Sequence, residues 1–184
     1  MERAQIIEKT ATFIKRYGIK SLTLAEISIR LRIPKKALYF HFKTKDELLL
    51  ACLHFMYDTL KDLLTVAQSN VENPVLKLIK TYNVTIGYLS QFHSTFYFDL
   101  RKIIHLKSVT QQHINDYKLS SIRPLIEEAK NNKLLLPDAE VEAALESYMK
   151  FVPFFFVHFK DDQAAIENHL TLFLHNYFKV DYCH

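Results

Sequence analysis

The sequence predicts an all-helical protein, and three observations carry that prediction. Only two glycines and five prolines interrupt 184 residues, while the helix-compatible residues Leu, Ile, Lys and Glu are abundant. Apolar residues recur at helical spacing from the start, at Ile6, Ile7, Thr10, Ala11, Ile14 and Tyr17. Start and stop signals fall between the periodic stretches, beginning with Gly18, where a helix C-cap needs a positive φ. About nine helices are expected.

Taken in order, helix 1 covers 3–17. Thr23 followed three residues later by Glu26 has capping-box spacing and opens helix 2, which buries Leu24, Ile27 and Leu31 and ends near Arg32. Pro34 suits the first position of helix 3 and turns its predecessor away from helical geometry. Leu38 and Phe42, four apart, anchor that short helix. From Thr44 a long helix runs to about Ala67, with Asp46 and Glu47 at the positive end of its dipole. The run 68–74, ending in Pro74, is a turn. Further helices are expected at about 75–91, 95–106, 109–131, 138–159 and 162–178, with kinks at Pro124 and Pro153.

Charge divides the chain unequally. Residues 1–45 hold eleven Lys/Arg against Glu2, Glu8 and Glu26, a balance of +8; residues 46–184 hold thirteen against seventeen acids, a balance of −4. A basic head on an acidic body points to a polyanionic partner. No acid interrupts Pro34 to Lys45, and helix 3 offers Lys35, Lys36 and Tyr39 away from its core face. Such a helix can meet phosphates and reach base edges, although a solvated basic helix has the same composition. Two helices joined by a short turn, the second basic, make a helix-turn-helix.

The run Gly18-Ile19-Lys20-Ser21-Leu22-Thr23-Leu24-Ala25-Glu26-Ile27, then Leu38-Tyr39-Phe40-His41-Phe42-Lys43-Thr44-Lys45-Asp46-Glu47-Leu48-Leu49, resembles the DNA-binding domain of the TetR family of bacterial transcriptional regulators. The shared features are the Gly closing helix 1, the Thr opening helix 2, Leu-Tyr-x-His-Phe closing helix 3 and Lys-x-Lys-x-Glu-Leu-Leu opening helix 4. The resemblance covers roughly the first 55 residues; beyond them the chain is similar in length, helicity and aromatic content. It implies phosphate contacts from Thr23, Tyr39, His41, Lys43 and Lys45, and major-groove positions for Lys35, Lys36 and Ala37. The chemistry agrees, since Lys can donate to guanine and an Ala methyl can touch a thymine methyl. Three departures stand out. Arg32 occupies a turn position where the family has Gly, at a cost on the order of 1 kcal/mol if left-handed. Lys36 and Ala37 replace a frequent Gly-Thr, and Ala25 a frequent Arg. The resemblance therefore implies DNA binding without specifying an operator.

It also implies a boundary, with a helix-turn-helix domain at 1–46 and a ligand-binding and dimerisation domain at 47–184. In the family the last two helices build a homodimer, and the faces carrying Leu145, Tyr148, Val152, Leu170, Phe173, Leu174 and Tyr177 are the expected pair. Two-fold pairing doubles the bases a short helix can read. Helices 4 to 8 enclose a small-molecule pocket in the family. The candidate lining here is Tyr88, Phe92, Phe96, Tyr117, Tyr148, Phe151 and Phe155, with the Tyr hydroxyls, His105 and Asn83 as polar handles, suiting an apolar or aromatic effector. Phe154, Phe155 and Phe156 cannot all face one way, since successive residues turn about 100°.

Other chemistries find little footing. His93, His105, His113, His158, His169 and His175 form no i, i+3 or i, i+4 pair with one another or with Cys, so no metal is expected. No glycine-rich phosphate loop and no nucleophile with an evident base are present, so no enzyme and no cofactor are expected. Cys52 and Cys183 have neither metal nor disulfide spacing, which suits a reducing cytoplasm. No signal peptide is evident, and Phe151 to Phe159, broken by Pro153 and His158, is too short to span a bilayer. The expected function is a cytoplasmic, homodimeric, ligand-responsive repressor gripping a palindromic operator. Two rivals are a helical interaction protein whose basic head binds acidic partners, and a small-molecule binding protein with a vestigial head.

Overall fold

The computed structural model describes residues 1–154 and 162–179. The helices are α1 Arg3–Tyr17, α2 Leu24–Leu31, α3 Lys35–His41, α4 Lys45–Gln68, α5 Pro74–Leu89, α6 Phe96–Lys102, α7 Ile104–Asp116, α8 Arg123–Asn131, α9 Val141–Phe154 and α10 Gln163–Tyr177. A π-helical turn, Tyr117–Ile122, joins α7 to α8 without a break. With Ile104–Asn131 counted as one helix, the described residues hold nine, all-α as predicted. They pack as two compact units, one of Met1–Asp62 with Gly87–His113, the other of Leu63–Ile86 with the described residues from Ile114 on.

In the first unit, α1 buries Ile6, Ile7, Ala11 and Ile14, α2 buries Ile27 and Leu31, and α3 contributes Leu38, followed by Phe42. Each buried Ile, Leu or Phe among them stabilises the fold by roughly 1.5–3 kcal/mol. Leu48, Leu49 and Cys52 of α4 join them. The Cys52 thiol donates to the Ile7 carbonyl at 3.6 Å, and burial pushes its pKa up to about 12. It is a core residue and no nucleophile.

Gly18 closes α1 with φ +76°, and a Cβ there would stand 2.8 Å from Thr95 Oγ1. Both facts demand glycine. Around this point α1 is tied to the chain near α6. The His93 N–H donates to the Lys15 carbonyl at 2.6 Å, and the Lys15 ammonium lies 4.1 Å from the Tyr88 ring centroid. Lys20 pairs at 3.7 Å with Asp99, which is 4% exposed and also accepts from the Thr95 hydroxyl.

In the second unit the Tyr82 hydroxyl donates to the Ile166 carbonyl at 3.0 Å, and Tyr148 packs edge-on against Phe173. An antiparallel bridge joins Leu135 to Phe178, flanked by Leu136 N–H to Tyr177 O at 3.0 Å and Lys179 N–H to Leu134 O at 2.9 Å. Lys133, with φ +58°, ends α8: its N–H bonds Lys130 O, and the Leu134 N–H bonds Ala129 O. That pair is a Schellman closure made without glycine.

The structure departs from the predicted elements in several places. Pro34 is the N-cap of α3, not its first residue; its ψ of 143° is extended, and its carbonyl accepts from Ala37 and Leu38. The sixth helix stops at Lys102, because Ile103 is extended and caps α7 through Leu106 and Lys107. Pro124 produces no simple kink. It lacks an N–H for the Ser120 carbonyl, and the widened π turn before it absorbs the misfit. The predicted extension of α9 to 159, and the Phe154-Phe155-Phe156 argument, lie outside the described residues.

Candidate nucleic-acid interface

α2 is set by its cap. The Glu26 N–H donates to Thr23 Oγ1 at 3.1 Å, and the Thr23 N–H and hydroxyl return bonds to the Glu26 carboxylate at 2.7 and 2.9 Å. The Thr23 N–H bond, then its hydroxyl, hold the Glu26 carboxyl below its usual range. Thr23 is exposed, as a phosphate contact requires, but its only hydroxyl proton already serves Glu26. Its present work is structural.

The turn that follows keeps a left-handed residue despite lacking glycine. Arg32 has φ 53° and ψ 42°; its N–H donates to Ile29 O at 3.0 Å, and the Ile33 N–H donates to Ser28 O at 3.0 Å. This second Schellman pair closes α2, and the Arg32 side chain is exposed. The angle between α2 and α3 is thus set by backbone bonds and not by the residue type at the turn.

On α3, Lys35 and Lys36 are exposed, Ala37 is half-buried and Tyr39 is 51% exposed. His41 is half-buried, its ring edge-on to Phe40 at 5.1 Å. Lys43 is exposed beyond the helix end, and its N–H donates to the Glu47 carboxylate at 2.8 Å, fixing the entry into α4. Lys45 is half-buried and its ammonium donates to the Ile19 carbonyl at 3.1 Å. It is therefore partly a tie within the head, with donors to spare for a phosphate. Phe40, which is not among the expected DNA contacts, is 85% exposed. Its position two residues after the core anchor Leu38 was the available signal, since 200° of rotation carries a side chain to the opposite face.

The predicted ligand-lining residues divide between the two units. Tyr88, Phe92 and Phe96 are buried in the first, where the Phe92 ring lies edge-on to Tyr88 at 5.4 Å and tilted against Phe96 at 4.5 Å. The Tyr88 hydroxyl donates to the Met56 carbonyl at 2.8 Å, and burial pushes its pKa up to about 12. In the second unit the buried hydroxyls of Thr85, Tyr117 and Tyr148 form a chain, with separations of 3.0 and 3.2 Å. Burial, then the Tyr117 hydroxyl, raises the Tyr148 pKa well above its ordinary value. The expected handles Asn83 and His105 are exposed and not turned into the core. α7 buries Leu106 and leaves Ile104, His105 and Lys107 outward. The side chains of Phe151 and Phe155 lie outside the described residues. A pocket of 350 Å³ is lined by Leu136–Glu140, Ala143, Asn176 and Tyr177, none of them predicted ligand residues. Of the faces expected to pair two copies, Leu145, Tyr148 and Phe173 are buried within the chain itself. Leu172 of α10, which is not among the residues expected to pair, is 60% exposed. Among the described residues no helix is long and apolar enough to cross a membrane.

Residues 6–52 match the family of bacterial regulatory proteins described as the tetR family. No curated protein sequence matches the chain. Three solved structures show the likeness of fold. A transcriptional regulator from Saccharomonospora viridis in complex with choline superposes with TM-score 0.79 at 12% identity, over 96% of this chain and 97% of that one. A TetR transcriptional regulator from Chloroflexus aurantiacus gives 0.75 at 13% identity over 96% of each chain. AibR in complex with isovaleryl coenzyme A and operator DNA gives 0.68 at 19% identity, over 96% and 98%.

Proposed function

The head carries the domain of the tetR family of bacterial regulators and the chain has the TetR-type fold, and from that premise we propose a homodimeric repressor that releases its operator when a small molecule binds. The DNA-binding role falls to 1–46, the sensing and dimerising role to 47–184. One observation carries the reading: α3 turns Lys35, Lys36 and Tyr39 outward, with Lys43 exposed just beyond it, on a head of balance +8. A surface of that kind gains affinity from counterion release and register from phosphate contacts. Lys36 and Ala37 supply base contacts, and Tyr39, His41, Lys43 and one remaining face of Lys45 supply backbone contacts. In a two-fold dimer the α3 helices enter successive major grooves about 34–36 Å apart.

Ligand response has separate support. Two of the structurally similar regulators are complexes with choline and with isovaleryl coenzyme A. In this chain the buried Thr85, Tyr117 and Tyr148 hydroxyls bond one another amid aromatic rings, and an effector that engaged them would be small and largely apolar. The coupling is reciprocal: an inducer that weakens operator binding binds less well to the DNA complex by the same factor.

The test starts with selection of duplexes from a randomised pool by the full chain. On the recovered sequence, Lys43→Ala should weaken binding to all duplexes alike and lower the magnitude of the salt slope by about 1. Lys36→Ala should change which sequences are preferred. Unchanged affinity and slope for Lys43→Ala would remove the groove-docking assignment.

A further inference from the structure

We propose that Phe40 is a specificity-determining residue of the head, reading the C5-methyl edge of thymine in the major groove. This rests on the DNA-binding reading above and adds the chemistry that it recognises. Phe40 is 85% exposed, more than any other large hydrophobic side chain among the described residues. Leu38, two residues earlier, is fully buried. At 100° per residue Phe40 therefore points directly away from the core. Lys36 and Ala37, four and three residues before it, share that outward face. The ring leans edge-on against His41 at 5.1 Å, which limits its sweep.

A lone apolar ring within a stretch free of acids needs a partner that is both polyanionic and locally apolar. The major groove is such a surface: phosphates line its walls, and the thymine methyl is the one apolar group on its floor. A membrane surface fits poorly, because the broad apolar face that an interfacial helix inserts is here spent on Leu38 and Phe42. A protein partner would call for a contiguous apolar patch, and the flanking Lys35, Lys36 and Lys43 deny it one.

The experiment uses the full chain and the duplex recovered from the randomised pool. Each thymidine is replaced in turn by deoxyuridine, which removes only the methyl group, and Kd is measured at fixed salt for the unmodified protein, Phe40→Ala and Phe40→Leu. One position per half-site should lose about fourfold on replacement, and the paired replacement about fifteenfold. Phe40→Ala should bind the thymidine and deoxyuridine duplexes alike, with an unchanged salt slope, and Phe40→Leu should keep part of the discrimination. Insensitivity to deoxyuridine at every position, or full sensitivity retained by Phe40→Ala, overturns the assignment. So does dissociation of a DNA-free dimer by Phe40→Ala, which would give the ring to a second copy. If no duplex is enriched from the pool, the DNA-binding reading itself has failed.

Discussion

Replacing Gly18 by Ala tests how tightly the end of α1 is held. The backbone there has φ 76° and ψ 173°, a region left almost entirely to glycine, so strain alone costs about 1–3 kcal/mol. The new Cβ would also meet Thr95 Oγ1 at 2.8 Å. Thr95 cannot swing aside freely, because its hydroxyl donates to Asp99 at 3.3 Å and lies 3.1 Å from His93 Nδ1. Giving up that bond costs about 1 kcal/mol. The sum is about 2–4 kcal/mol, equivalent to roughly 5–15 °C in Tm for a chain of this size. Urea unfolding of Gly18→Ala, Thr95→Ala and the double variant would read both parts. The double variant should recover the steric share, so that the two changes cost less together than the sum of each alone. A loss below about 0.5 kcal/mol for Gly18→Ala, or strict additivity with Thr95→Ala, would refute the argument.

Other sites give predictions of both signs. Arg32→Gly should stabilise the chain by about 1 kcal/mol in the same urea assay, since the left-handed conformation and its two backbone bonds stay while the Cβ penalty goes; destabilisation would mean the Arg32 side chain holds the turn. Glu26 gives a pH signature. Its carboxyl is held below the usual range when folded, so its contribution is present above the unfolded value of about 4.3 and is lost as pH falls through the lower folded value. Glu26→Gln should therefore flatten the acid limb of the stability profile, and urea midpoints that fall equally steeply between neutral pH and pH 3 would contradict the capping account.

The helix-turn-helix was legible because its determinants are local. The spacing of Ile27 and Leu31, the Thr23–Glu26 cap and the positive φ at Gly18 all act within a few residues, and the structure keeps each of them, while Leu24, expected in the core, is only half-buried at the first turn of α2. What failed depends on distant neighbours. Residues 102–109 carry no breaker, and the break expected between 106 and 109 falls instead at Ile103. Pro124 announced a disturbance but not its form, because a kink and a π turn both absorb a missing N–H. The fate of the Lys45 side chain depended on which acceptor folding brought within reach, the Ile19 carbonyl. Aromatic residues were easily counted but not placed. An unbroken run of helices says nothing about which rings meet, so Tyr88 and Phe92 were grouped with Tyr117 and Tyr148 although they lie in different units.

The anchorage of α1 bears on how far this protein can be treated as exchangeable parts. Its first compact unit is not one stretch of chain, since Met1–Asp62 is completed by Gly87–His113. A head cut at residue 46 and grafted onto another regulator would arrive without its counterparts. The Lys15 carbonyl would lose the His93 amide, Lys20 would lose Asp99, and the glycine cleft at Gly18 would face whatever the new body offers. A chimera meant to redirect the operator would have to transplant both stretches together, or else carry only the outward side chains of α3 onto a resident head.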